Sequence, residues 1–132
     1  MIPPSGTETS TVIQNILVVE DEIAMAKAIE VKLNKSGFSA KAVYNGESCM
    51  AELRSGKYNL VILDLMMPIM DGWTVLEKIL AESITIKIIV SSNLSQGEDV
   101  KKAKALGARA FLIKSDVTLA DIVAEVTKVL AM

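Results

Sequence analysis

The sequence predicts an α/β protein built on a doubly wound, five-stranded parallel sheet with five helices. Three observations carry this prediction. Short apolar runs alternate five times with longer segments of helical period. The runs Ile16-Leu17-Val18-Val19 and Tyr58 to Leu63, the second broken only by Asn59, are apolar almost throughout, as strands covered on both faces are. Glycines stand where several of the helical patterns stop. Regular strand-then-helix alternation requires right-handed crossovers, hence a parallel sheet with helices on both faces.

The elements follow in order. Residues 1–14 hold Pro3, Pro4 and Gly6 among Ser and Thr, and are expected to form a mobile tail before one domain over 15–132. Ile16–Val19 is the first strand. From Ile23 to Ser36 the apolar residues Met25, Ile29 and Leu33 recur every four positions, and Gly37 supplies the stop. Residues 38–43 alternate weakly, as an edge strand does, and a helix from Gly46 to Ser55 ends at Gly56. Tyr58 to Leu63 is the next strand, directly before Asp64. A helix from Gly72 places Val75, Leu76, Ile79 and Leu80 on one face. Ile84 to Val90 is the fourth strand. Ser95 and Glu98 then form a capping-box pattern, in a helix that turns Val100, Ala103 and Leu106 inward before Gly107. Ala110 to Ile113 is the last strand, and Leu119, Ile122, Val123, Val126 and Leu130 give the final helix its apolar stripe.

Composition narrows the function. An apolar share of 51% over 132 residues is ample for one buried core, and 14 basic against 16 acidic residues offer no electrostatic case for a nucleic-acid or membrane-surface partner. No apolar run is long enough to span a membrane and the start lacks a secretory pattern, so a soluble cytoplasmic protein is expected. The single cysteine, Cys49, reads as a buried thiol. There is no histidine, which removes the commonest general base and metal nitrogen ligand; any chemistry must use carboxylates, hydroxyls or lysine.

In an open parallel sheet, ligands collect beyond the carboxyl ends of the strands. Those ends hold Glu20-Asp21, Asp64, Ser91-Ser92 and Lys114. An acidic pair alone is more often a solvated loop or a helix N-terminus. Three carboxylates, a lysine and a hydroxyl predicted on one rim are a different matter. Crowded carboxylates raise one another's pKa values unless a cation favours their charged forms, and an all-oxygen ligand set points to Mg²⁺.

The segment Val61-Ile62-Leu63-Asp64-Leu65-Met66-Met67-Pro68-Ile69-Met70-Asp71-Gly72 resembles the phosphorylation-site segment of response-regulator receiver domains in two-component signalling. Glu20-Asp21 is similar to that family's acidic pair, and Leu106-Gly107-Ala108 with Phe111 and Lys114 to its last helix-strand-lysine segment. The resemblance runs from about Asn15 to Met132. It implies a flavodoxin-like strand order 2-1-3-4-5 and a phosphoryl group accepted on Asp64. It further implies Mg²⁺ held by Asp21, Asp64 and the main-chain carbonyl of Met66, with Glu20 acting through water, and Lys114 stabilising charge. Ser92 takes the place of the switch hydroxyl when counted back from Gly107 and Lys114, whereas counting forward from Asp64 favours Ser91; Ser92 is preferred. Phe111 fits the aromatic switch position, although an apolar strand residue is more often plain core.

Two residues depart from the pattern: Asn93 stands where a small residue is usual, and Ser115 where a proline usually follows the lysine, leaving the conformation of the peptide after Lys114 open. The resemblance also implies the partners. A histidine kinase or phosphotransfer protein must supply the phosphohistidine, and a downstream protein would meet the face formed by the fourth helix, fifth strand and fifth helix. No DNA-binding or catalytic segment follows the last helix, so output is expected through a separate protein, through self-association as a homodimer or through competition for phosphoryl flow. Three competing readings are weaker. A Mg²⁺-dependent phosphatase of the haloacid-dehalogenase type needs an acid where Met66 stands. A flavodoxin-like flavin carrier needs a phosphate loop where Glu20-Asp21 would repel phosphate. A receiver-fold scaffold that is never phosphorylated has only Asn93 and Ser115 in its favour. Trp73 and Met66, Met67 and Met70 read as ordinary packing.

Overall fold

The computed structural model describes residues 12–94 and 97–132. Five strands and five helices alternate: β1 (Asn15–Val19), α1 (Ile23–Lys35), β2 (Ser39–Val43), α2 (Gly46–Leu53), β3 (Leu60–Asp64), α3 (Gly72–Ala81), β4 (Lys87–Ser92), α4 (Gly97–Ala105), β5 (Ala108–Ile113) and α5 (Leu119–Leu130), with a 3₁₀ turn at Lys114–Asp116. The strands form one sheet in the order β2-β1-β3-β4-β5, and every neighbouring pair is parallel. The predicted fold class, strand order and element order all stand.

Strand side chains alternate between two buried faces. Leu17, Val19, Val61, Leu63 and Val90 face a core closed by α2, α3 and α4. Ile16, Val18, Leu60, Ile62 and Ile89 face a second core under α1 and α5. Because both faces are covered, the central strands need apolar residues at every position, and β3 is buried throughout. Cys49 lies fully buried in the first core, where burial pushes its thiol pKa up to about 12 and leaves it unreactive.

Several boundaries differ from the sequence reading. The third strand begins at Leu60 rather than Tyr58 and takes in Asp64. The fourth runs Lys87–Ser92 rather than Ile84–Val90. Ser83 adopts a left-handed backbone (φ 54°) and the Ile84 amide donates to the Ile79 carbonyl, so the chain is still closing α3 where apolar composition suggested a strand. Leu80, expected on the core face, is 54% exposed; it falls at the margin of the arc set by Val75, Leu76 and Ile79. In α5, Val129 is buried while Leu130 is only partly so. The capping box expected at Ser95 lies outside the described residues. One that the sequence reading missed opens α5: Thr118 Oγ1 accepts from the Asp121 amide and Asp121 Oδ2 from the Thr118 amide. The tail expected over 1–14 falls almost wholly outside the described residues.

The free edge of β2 is covered by side chains of α1. Asn34 accepts from the Ala40 amide at 2.9 Å and donates to its carbonyl at 3.2 Å, and Glu30 accepts from the Ala42 amide at 2.8 Å. An edge strand so occupied is a poor template for pairing with a second chain. Asn34→Ala exchanges two of these bonds for water and is expected to cost about 1–2 kcal/mol, read as a lower urea midpoint with an unchanged denaturant slope. An unchanged midpoint would mean that the edge is held by other means.

Candidate functional site

Four parallel strands end on one rim of the sheet, and the residues that follow or close them converge there. Glu20 comes directly after β1, with its amide donating to the Val43 carbonyl at 3.2 Å. Its carboxylate turns back to accept from the Glu22 amide at 3.1 Å. Asp64 closes β3 on the ladder rung of Ser91, and its Oδ1 accepts from the Met66 amide at 3.2 Å. Lys114 follows β5; its ammonium pairs with Glu20 Oε1 and lies 3.0 Å from Asp64 Oδ2. Carboxylate oxygens of Glu20, Asp21 and Asp64 all lie within 4.8 Å of one another. Glu20 and Asp64 are almost fully buried while Asp21 is exposed, so the cluster opens to solvent on one side.

The close packing of the next loop fixes Asp64. A Cβ on Gly72 would lie 2.3 Å from the Asp64 carbonyl oxygen and 2.7 Å from Leu65 Cα, so the start of α3 can approach the strand end only with glycine at that position. Asp71 caps the same helix by accepting from the Thr74 amide at 2.9 Å.

Electrostatically the rim is unbalanced, with three carboxylates facing one ammonium. Burial pushes the Asp64 carboxyl up to about 6; Lys114 opposes that shift and the Glu20 charge adds to it. Burial also pulls Lys114 down, but its hydrogen bonds to Glu20 and Asp64 more than offset this and hold it above the ordinary lysine range. These groups can hold a hard cation and can stabilise added negative charge near Asp64.

A family model for the response regulator receiver domain matches residues 16–127. The chain belongs to that family. Among curated relatives, the chemotaxis protein CheY of Treponema pallidum is 34% identical over 114 residues, covering 84% of this chain and 79% of that protein. The transcriptional regulatory protein DltR of Streptococcus agalactiae is 33% identical over 99 residues, covering 75% of this chain but 44% of DltR. The chain therefore spans less than half the length of the transcriptional regulators it matches. Among solved structures, the receiver domain of the Francisella response regulator 1452 superposes with a TM-score of 0.84 at 21% identity, covering 89% of this chain and 97% of that one. The beryllofluoride-activated DrrB receiver domain gives 0.80 at 24% identity, covering 92% and 100%.

In this receiver domain the two candidate hydroxyls point to different faces. Ser91 stands across from Asp64 in the ladder, and with Glu20 and Lys114 it lines a cleft of about 380 Å³ whose apolar wall includes Met25, Ile29 and Ile122. Ser92 is fully buried, two residues beyond Val90 and so on the face of Phe111, which pairs with Val90. The Ser92 hydroxyl accepts from the Leu94 amide at 3.1 Å. Phe111 is partly buried against the α2–α3–α4 core. The structure thus brings Glu20, Asp21, Asp64 and Lys114 together, places Ser91 beside them, and aligns Ser92 with Phe111. Met66 is an exposed rim residue. Sequence reading missed the cleft: Met25 was expected in the core stripe, yet it is 37% exposed and lines that wall. All described peptide bonds are trans, including the one after Lys114. Among the described residues no helix is long and apolar enough to cross a membrane.

One rim residue is strained. Ile69 has φ 71° and is 79% exposed, with the Met70 amide donating to the Pro68 carbonyl at 2.8 Å around it. This is a γ-turn with a β-branched residue in the left-handed region, a conformation that costs on the order of 1–3 kcal/mol.

Two measurements test the energetics of the site. Ile69→Gly is expected to stabilise the protein by about 1 kcal/mol, since relieved strain exceeds the added chain entropy, and a lower thermal midpoint would contradict the strain. For Asp64 the folded state binds its proton more tightly than the unfolded state does. The Asp64 contribution to metal-free stability should therefore fall as pH rises from about 4 to about 6, and Asp64→Asn should exceed the native chain by roughly 1–3 kcal/mol at pH 7, with the gap closing at pH 4. Denaturation at both pH values reads this directly, and a native chain that gains on Asp64→Asn as pH rises would refute it.

Proposed function

We propose that this receiver domain accepts a phosphoryl group on Asp64 from a partner's phosphohistidine, with Mg²⁺, and that the modification changes its partner-binding face. The observation that carries the reading is the convergence of Glu20, Asp21 and Asp64 within 4.8 Å around a carboxylate already paired with Lys114. The fit to a hard divalent cation rests on the donor set: every ligand is an oxygen, two of the three carboxylates are buried, and one ammonium leaves them under-neutralised. Asp21 and Asp64 would hold the ion directly with the Met66 carbonyl, and Glu20 through water. The ion would supply positive charge next to the oxygens of the transferred group.

The chain's own residues do the rest. An Asp64 carboxylate oxygen attacks phosphorus in line with the donor's phosphorus–nitrogen bond, forming an acyl phosphate as that bond breaks and its electron pair returns to the imidazole. The Met66 amide and Lys114 hold the carboxylate in place, and Lys114 meets the charge of the incoming oxygens. The donor histidine is not among these 132 residues, which contain none. A histidine kinase or phosphotransfer protein is the donor class, and hydrolysis of the acyl phosphate by water would end the signal.

The new oxygens would draw a hydroxyl at the end of β4 toward Asp64, with Ser92 moving Phe111 on its face and the surface formed by α4, β5 and α5 responding. Thin anchoring of α4 supports this, because Ala103 is its one fully buried residue among those described. That surface is proposed to meet a downstream protein or a second copy of the chain.

Incubation with Mg²⁺ and acetyl phosphate is expected to add one phosphoryl mass to the native chain and none to Asp64→Asn. Beryllofluoride should change Trp73 fluorescence in the native chain and not in Asp64→Asn. Ser92→Ala should blunt the fluorescence change more than Ser91→Ala does. An unmodified native chain in both assays would favour a scaffold that never carries phosphate.

A further inference from the structure

Two residues where this chain departs from the receiver pattern meet each other. Asn93 Oδ1 accepts from the Ser115 amide at 3.1 Å, 22 residues apart in sequence. The β4–β5 ladder ends at the pair Ser92 and Ile113, so this bond lies one step past the last rung. It joins the residue after a candidate switch hydroxyl to the residue after the active-site lysine.

Each end of the bond has a local reason. Ser115 lies in the first turn of the 3₁₀ segment Lys114–Asp116, where amides lack intrahelical partners, and Ile113 at the cap position supplies no side-chain acceptor. Asn93 supplies the acceptor from the neighbouring loop. Its own position is set by the turn in which the Leu94 amide donates to Ser92 Oγ, with Asn93 at the apex. A proline at 115 would have no N–H to donate, and a small residue at 93 no acceptor. The two departures are therefore complementary, and either one alone would leave its partner without the bond.

We propose that Asn93 and Ser115 form a positioning pair that ties the Lys114 segment to the end of β4 and keeps the Lys114 ammonium on Glu20 and Asp64. Lys114 stands between two fixed points, the ladder residue Ile113 and the tethered Ser115. Its side chain then reaches both carboxylates from a backbone that cannot swing outward. The same bond couples Ser92 to Lys114, because a displacement of the Ser92 turn carries Asn93 away from Ser115. The tether in the unmodified chain stands whether or not Asp64 is a phosphoacceptor; its effect on phosphorylation rests on the reading of the site given above.

The experiment compares the native chain with Asn93→Ala, Ser115→Pro and the double variant, with Ser115→Ala as the control that keeps the amide. Three readouts are taken: hydrogen exchange of the residue-115 amide, the NMR signal of the Lys114 ammonium, and the rate of labelling by acetyl phosphate at saturating Mg²⁺. Asn93→Ala is expected to speed exchange at Ser115 and to broaden the Lys114 signal. It should also slow labelling roughly two- to tenfold, the scale of one hydrogen bond, without changing the Mg²⁺ concentration for half-maximal rate. Ser115→Ala should match the native chain in all three, and the double variant should be no slower than either single variant. Unchanged exchange at Ser115, or an unchanged Lys114 signal, in Asn93→Ala overturns the proposal. A native chain that takes no label, while Asn93→Ala still loses both NMR signatures, upholds the tether and sinks the phosphorylation reading instead.

Discussion

Repulsion among like charges at the carboxyl edge of the sheet is the constraint around which this molecule is arranged. Two buried carboxylates and a third at the surface face a single ammonium, and the sheet gives them no room to separate, because each follows or closes a strand whose register is set by apolar packing on both faces. The cores under α1 and α5 and under α2, α3 and α4 hold the carboxylates together against their own repulsion. Carboxylates crowded in this way are poorly satisfied alone and would be better satisfied by a cation among them.

The same arrangement separates rigid parts from adaptable ones. Glu20, Asp64 and Lys114 are held by strands, by main-chain hydrogen bonds and by the close approach of Gly72. The elements beside them are held less firmly. Helix α4 rests on little buried apolar surface, and its partner across the loop is a cation–π contact, Lys102 over Trp73 at 4.5 Å. The β4–α4 and β5–α5 loops are joined by the Asn93–Ser115 bond. The floor of the site is thus held more firmly than the α4 wall beside it.

Much of this was legible in the sequence, for reasons that can be named. Unbroken apolar runs at Ile16–Val19 and Val61–Leu63, short and alternating with longer segments of helical period, read as strands buried on both faces, and parallel winding then carries the residues after them to one edge. That is why Glu20, Asp21, Asp64 and Lys114 group together on the sequence alone. What escaped the sequence depends on three-dimensional neighbours. Ile84 and Ile86 are apolar enough for a strand, yet the left-handed Ser83 delays β4. Adjacent serines at 91 and 92 are indistinguishable by composition, and only the ladder shows which of them faces Asp64. Asn93 and Ser115 lie 22 residues apart, and only the neighbouring loops bring them into one hydrogen bond.

The central claim is that the carboxylate cluster is a built cation site rather than a solvated acidic rim. Calorimetric titration of the metal-free chain with Mg²⁺ at neutral pH tests it most directly. The account predicts saturable binding of one ion per chain that is lost in Asp21→Asn. Absence of saturable binding, or equal binding by Asp21→Asn, would contradict it.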